Sequence, residues 1–143
     1  MPTRRILVVD DEEFARKILT QGLEKEGWNV NQAENGLVAL DRIAKQRPDL
    51  ILLDLMMPVM NGHQFVGELH KHEEWRSIPI IVVTARDMSA EERIALDGFV
   101  EKVLPKHAFT EEGLLTEIQD LIAACVHAKQ PGAKQTNRLA STA

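Results

Sequence analysis

The chain has 143 residues, enough to bury one sizeable core and too few for two ordinary domains; its 44% hydrophobic and 27% charged residues are those of a soluble globular protein, with no apolar run near the roughly 20 residues of a membrane span. The single cysteine, Cys125, excludes an internal disulfide and suits a reducing cytoplasm, and the apolar stretch after Arg4-Arg5 is too short for an export signal. The net charge is −5, but residues 128–143 carry Lys129, Lys134 and Arg138 with no acid; without those three charges the rest stands at −8, a poor match for a phosphate backbone, and 4% aromatics offer no stacking platform for single-stranded bases.

Arg5-Ile6-Leu7-Val8-Val9 reads as a buried strand that stops at Asp10-Asp11-Glu12-Glu13, an acidic loop opening a helix. Phe14, Ile18, Leu19, Gly22 and Leu23 then follow helical spacing to a stop at Gly27. Residues 28–33 alternate like a more exposed strand, placed near a sheet edge. Asn35-Gly36 opens a second helix, with Leu37, Leu40, Ile43 and Ala44 as its apolar stripe and Arg47-Pro48 as its end.

Leu50-Ile51-Leu52-Leu53 is an aliphatic run between breakers, too short for an isolated helix, and reads as a strand buried on both faces that ends in Asp54. A carboxylate beside so much apolar surface costs several kcal/mol, by the usual rough estimate, unless a cation, a metal or a reaction offsets it. Asn61 can cap the next helix, which packs Phe65, Val66 and Leu69 inward. Ile80-Ile81-Val82-Val83-Thr84 is a further buried strand, Ser89-Ala90-Glu91-Glu92 a capping box opening a short helix that stops near Gly98, and Lys102-Val103-Leu104 a brief last strand. Behind Thr110, the positions Leu114, Leu115, Ile118, Leu121, Ile122 and Cys125 form the clearest helical stripe in the chain. Gln130-Pro131-Gly132 ends the pattern. The expected organisation is one domain over residues 1–127 and a disordered basic tail over 128–143.

Strict alternation of strand and helix implies an α/β fold with a five-stranded parallel sheet, and five such units suit the doubly wound, flavodoxin-like order 2-1-3-4-5. The ligand site of that order lies at the carboxyl ends of strands 1 and 3, which here end in Asp10-Asp11 and Asp54. Neighbouring strands lie about 4.8 Å apart, so three carboxylates face one crevice. Crowded carboxylates repel one another unless a cation settles among them, and hard oxygen ligands suit Mg²⁺. Thr84 brings a hydroxyl to the end of strand 4, and Lys106, just past strand 5, a compact positive charge. Lys102 is the competing lysine, but it begins its strand about 10 Å from the crevice.

Val8-Val9-Asp10-Asp11-Glu12, Asp54-Leu-Met-Met-Pro58, Asn61-Gly62, Val83-Thr84-Ala85 and Lys106, in that order over roughly residues 4–126, resemble the receiver domains of two-component response regulators. The resemblance implies that Asp54 takes a phosphoryl group from a phosphohistidine on a sensor histidine kinase or phosphotransfer protein. It further implies that Asp11, Asp54 and the main-chain carbonyl of Met56 ligate Mg²⁺ directly, with Asp10 helping through water. Lys106 would neutralise phosphoryl charge, and Thr84 would follow the phosphoryl group inward and bias the surface of strand 4, helix 4 and strand 5 towards an active state. The output would be a changed contact with a downstream protein, by a cytoplasmic monomer or a phosphorylation-dependent dimer, with neither nucleic acid nor membrane as partner.

The sequence departs from the family pattern where His107 follows Lys106 in place of a proline and Val103 stands in place of an aromatic residue. The segment Val103–Glu112 resembles receivers attached to sensory histidine kinases more than the chemotaxis type. In isolation, the Asp10-Asp11 pair is an ordinary acidic helix start, Thr84 an ordinary strand end and Lys106 a solvated loop lysine. His70 and His72, two apart, cannot share a helical face and read as solvated surface. The alternative function is a receiver-shaped interaction module that works without phosphorylation. An aspartyl phosphatase of the haloacid dehalogenase type is disfavoured, because Met56 sits where such enzymes place a second acid. A dinucleotide-binding oxidoreductase lacks its Gly-rich turn after strand 1. Self-catalysed phosphorylation and slow hydrolysis apart, no enzyme activity is expected.

Overall fold

The computed structural model describes residues 4–55, 57, 59–84, 89–96, 98–105 and 111–128. Two compact units are distinguished, Met1–Phe109 and Thr110–Ala143. In the first, strands β1 (Arg5–Val9), β2 (Asn29–Ala33), β3 (Leu50–Leu53), β4 (Ile80–Thr84) and β5 (Lys102–Pro105) form one parallel sheet in the order β2-β1-β3-β4-β5. Helices α1 (Glu13–Lys25), α2 (Gly36–Lys45), α3 (Gly62–His70) and α4 (Ala90–Leu96) follow β1 to β4 in turn. Each parallel neighbour needs a crossover, and a helix provides it while covering sheet surface. The second unit holds α5 (Glu111–Ala128), in which Ile118 and Ile122 of the expected stripe are buried. Of the expected tail, Ala128 is the last residue of α5 and 129–143 lie outside the described residues, as does the Cys125 side chain.

Alternation along the strands builds the core. Leu7, Val9, Ile51, Leu53, Ile80 and Val82 share one cluster with Ala39 and Ile43 of α2 and Phe65, Val66 and Leu69 of α3. The intervening residues Ile6, Val8, Leu50, Leu52, Ile81 and Val83 are buried too, so the middle of the sheet is covered on both faces. Edge strand β2 exposes three of its five residues, as its polar alternation requires.

Helix starts follow the expected chemistry. The Asn35 side chain accepts from the Val38 N–H, and Asn61 and Gln64 close a reciprocal capping box. Ser89 and Glu92 close a second one at the start of α4, at 3.0 and 3.1 Å. Gly27, with φ +94, supplies the left-handed residue after α1. Helix faces differ from expectation in both directions. Phe14 and Leu37 are 62% and 52% exposed and Ala44 is exposed, whereas Thr20 of α1 and the small Gly36 and Ala39 of α2 are buried. The start of α2 lies close against Met60: the Gly36 N–H donates to the Met60 carbonyl at 3.2 Å, and a Cβ on Gly36 would stand 2.6 Å from Cγ of Met60.

The two tryptophans are at the amino ends of strands. The Arg4 guanidinium lies 5.7 Å from the ring centre of Trp28, and Trp75, in a 3-10 turn (Glu73–Trp75), packs on the core cluster and against His72. His70 is half-buried rather than fully solvated, and meets the Phe99 ring edge-on at 4.5 Å. Burial, and then the charge of Arg76, hold its pKa below the ordinary 6.5. A base whose pKa is depressed on folding favours the native state above the unfolded-state pKa, and that contribution is lost as pH falls from 6.5 through the lower folded value. Urea midpoints at pH 7.5 and 5.5 are therefore expected to differ less for His70→Gln than for the wild type.

Candidate functional site

Strand register sets the site. Val9 lies opposite Leu53, so the next residues, Asp10 and Asp54, leave the sheet at the same level on adjoining strands. The Asp54 N–H donates to the Val9 carbonyl at 2.9 Å and the Asp10 N–H to the Ala33 carbonyl at 3.1 Å, which extends the ladder to the acids themselves. Leu53 lies opposite Val82, which puts Thr84 one residue beyond that level on the next strand.

Asp10, Asp11 and Asp54 each offer a carboxylate oxygen, and these oxygens lie within 4.8 Å of one another. Asp10 and Asp54 are buried, at 3% and 6% exposure, and Asp11 is exposed, so the cluster has a sheltered floor and an open side. Two buried acids beside a third are costly without a compensating positive charge, and three hard oxygen donors at this spacing suit a hard divalent cation. The Thr84 side chain is 1% exposed, and its Oγ1 has no hydrogen-bond partner among the described residues. A buried hydroxyl in that state fits a ligand oxygen arriving from the crevice. Of the expected site residues, the sheet brings the three acids together and sets Thr84 on the neighbouring strand end, whereas Met56 and Lys106 lie outside the described residues.

Several local features escape a reading of the sequence. Asp10 Oδ1 accepts from the Glu12 N–H at 2.9 Å, and the Asp10 carbonyl accepts from Nη1 of Arg16 at 2.6 Å. The Gly62 N–H donates to the Leu55 carbonyl at 3.0 Å, which ties the start of α3 to the residue after Asp54. His63 of α3 lies 3.5 Å from Glu92 of α4, whose carboxylate also caps Ser89. The Asp10–Glu12 contact is a local turn that an aspartate favours, whereas the His63–Glu92 contact joins positions whose proximity only the fold creates.

Between Asp54 and Asn61, Val59 adopts φ +68 and is 72% exposed. A β-branched residue in the left-handed region costs about 1–3 kcal/mol. Val59→Asn, which tolerates that conformation, is expected to stabilise the protein by about 1 kcal/mol, seen as a higher urea midpoint at unchanged m.

Residues 6–119 match the family model described as the response regulator receiver domain. Response regulator MprA of Mycobacterium sp. (strain KMS) is 40% identical over 122 residues, which are 85% of this chain and 51% of that protein. MprA of Mycobacterium avium (strain 104) is 40% identical over 118 residues, 82% of this chain and 50% of the relative. The chain thus spans about half the length of the curated relatives it matches. Among solved structures, the chemotaxis protein CheY4 of Vibrio cholerae matches with a TM-score of 0.73 at 30% identity, covering 83% of this chain and 98% of that one. The signal receiver domain of a histidine kinase from Syntrophus aciditrophicus matches with a TM-score of 0.71 at 25% identity, covering 85% and 92%.

Proposed function

The chain belongs to the response regulator receiver domain family of two-component signalling, and from that premise we propose that it is a phosphoacceptor, with Asp54 as the residue that is phosphorylated. The observation that carries this reading is the convergence of three carboxylate oxygens within 4.8 Å at two adjoining strand ends. In the reaction, an Asp54 carboxylate oxygen attacks the phosphorus of a phosphohistidine on a sensor kinase or phosphotransfer protein. The P–N bond breaks, the imidazole takes back a proton from solvent, and an acyl phosphate remains.

Asp10, Asp11 and Asp54 would hold Mg²⁺, with the Met56 carbonyl as a further ligand. When bound, the ion supplies positive charge that offsets carboxylate repulsion and the charge of the transferring phosphoryl group. Lys106 contributes a second positive charge to the same oxygens. The Thr84 hydroxyl, buried without a partner among the described residues, is the donor for the phosphoryl oxygen once it is on Asp54. Because Thr84 ends β4, its movement is transmitted to the β4–α4–β5 surface, and the output is an altered contact with a downstream protein. The charge of −8 on residues 1–127 favours a protein target over a nucleic acid. None of the described helices is long and apolar enough to cross a membrane, which agrees with action in the cytoplasm.

Incubation with Mg²⁺ and acetyl phosphate followed by intact-mass measurement tests the reading. One phosphoryl adduct on the wild type and none on Asp54→Asn is expected. An equal adduct on both proteins would move the acceptor elsewhere. No adduct on either would favour a phosphorylation-independent interaction module, and sustained turnover of phosphomonoesters a phosphatase.

A further inference from the structure

The β1–α1 turn carries two of the three clustered acids, and its first residue is held at three atoms. The Asp10 N–H donates to the Ala33 carbonyl, Oδ1 accepts from the Glu12 N–H, and the main-chain oxygen accepts from Arg16 Nη1 at 2.6 Å. The third bond is short and charge-assisted, and it fixes the plane of the peptide that joins Asp10 to Asp11. Asp11 is exposed, so the direction in which its carboxylate leaves the turn is inherited from that peptide.

Arg16 is itself pinned. It is half-buried on α1, and its Nε donates at 3.3 Å to Oε1 of Gln32 on β2. The Gln32 carbonyl in turn accepts from Nε of Arg42 on α2 at 3.2 Å. A planar guanidinium held at two edges keeps its orientation in a way that an ammonium on a flexible stem does not.

We propose that Arg16 is a positioning residue for the divalent cation: by clamping the Asp10 carbonyl while braced on Gln32, it presents Asp11 to the ion. This inference rests on the phosphoacceptor reading and its metal. An arginine near three carboxylates can also act as a built-in counterion, but that role has the opposite sign, because removing a competing positive charge tightens cation binding. Clamping predicts weaker binding.

The test is a Mg²⁺ titration followed by backbone amide chemical shifts in the wild type, Arg16→Met, Arg16→Lys and Gln32→Leu, with a urea denaturation of each protein without the metal. Arg16→Met and Arg16→Lys are both expected to weaken Mg²⁺ binding, by about tenfold, as loss of an outer-shell partner commonly does. Lysine fails to rescue because one ammonium cannot bridge Asp10 and Gln32 together, and Gln32→Leu, which loses only the brace, falls in between. Tighter binding in Arg16→Met with wild-type binding in Arg16→Lys would assign Arg16 to charge balance and overturn the proposal. Unchanged Mg²⁺ affinity in all three variants, with or without lower urea midpoints, would leave Arg16 a merely structural residue and overturn it as well. A wild type that shows no Mg²⁺ response would instead sink the metal reading itself, and this inference with it.

Discussion

In the absence of divalent cations, Asp54→Asn is expected to be more stable than the wild type while losing all phosphorylation. Three carboxylate oxygens lie within 4.8 Å of one another, and two of the acids are buried. At such a separation and an effective dielectric constant near 20, each like-charge pair costs on the order of 3 kcal/mol, less where solvent screens it. Asparagine keeps the shape and the main-chain bond to Val9 but removes one charge from the two pairs that include Asp54, leaving the Asp10–Asp11 pair as it was. Asp54 makes a further interaction in the structure, and losing it offsets part of the gain, so a net stabilisation of about 1 kcal/mol remains. Melting curves with EDTA and with saturating Mg²⁺ give the check. The wild type should melt higher with Mg²⁺, through mass action on the native state, and the variant should respond far less. A variant less stable than the wild type in EDTA would show that repulsion is not what the ion relieves.

Two glycines in one helix are expected to respond to alanine with opposite signs. A Cβ on Gly62 would stand 2.6 Å from Cδ2 of Leu55, 2.7 Å from its Cα and 2.9 Å from the Asp54 carbonyl oxygen. The leucine methyl can rotate away, but the two backbone atoms cannot move without shifting the peptide after Asp54 or the start of α3. Gly62→Ala should therefore destabilise by about 3 kcal/mol and displace Asp54 enough to slow phosphorylation. A Cβ on Gly67 meets nothing within 4 Å, so Gly67→Ala should stabilise by up to about 1 kcal/mol through helix propensity alone. Urea denaturation of the pair at constant m separates packing from propensity. Equal midpoints would mean that the approach at Gly62 is absorbed by a backbone shift of negligible cost.

The strands were legible because each is an aliphatic run between breakers, and alternation with helices left few topologies for them to form. The acids could be placed together for the same reason: each ends a run, and the strand order brings those ends side by side. Helix faces were less legible. Hydrophobicity identifies Phe14 and Leu37 as apolar but not which way they face in the fold, and Gly36 is buried by its close approach to Met60 rather than by apolar bulk. The left-handed backbone at Val59 has no compositional sign, since valine is among the residues least suited to it. Arg16 is an unremarked helical arginine until the fold carries its guanidinium to the end of β1. The roles given to Met56 and Lys106 rest on their order in the chain.

The placement of the indoles has an optical consequence. The chain has two tryptophans and no tyrosine, so its near-ultraviolet emission originates at Trp28, just before β2, and Trp75, in the turn that precedes β4. Both chromophores lie at the opposite end of the sheet from the acids, separated from them by the length of a strand, about 15 Å. Intrinsic fluorescence is therefore an apt monitor of unfolding and a poor one of chemistry at Asp54, for which an introduced fluorophore near the strand tips would be the better probe.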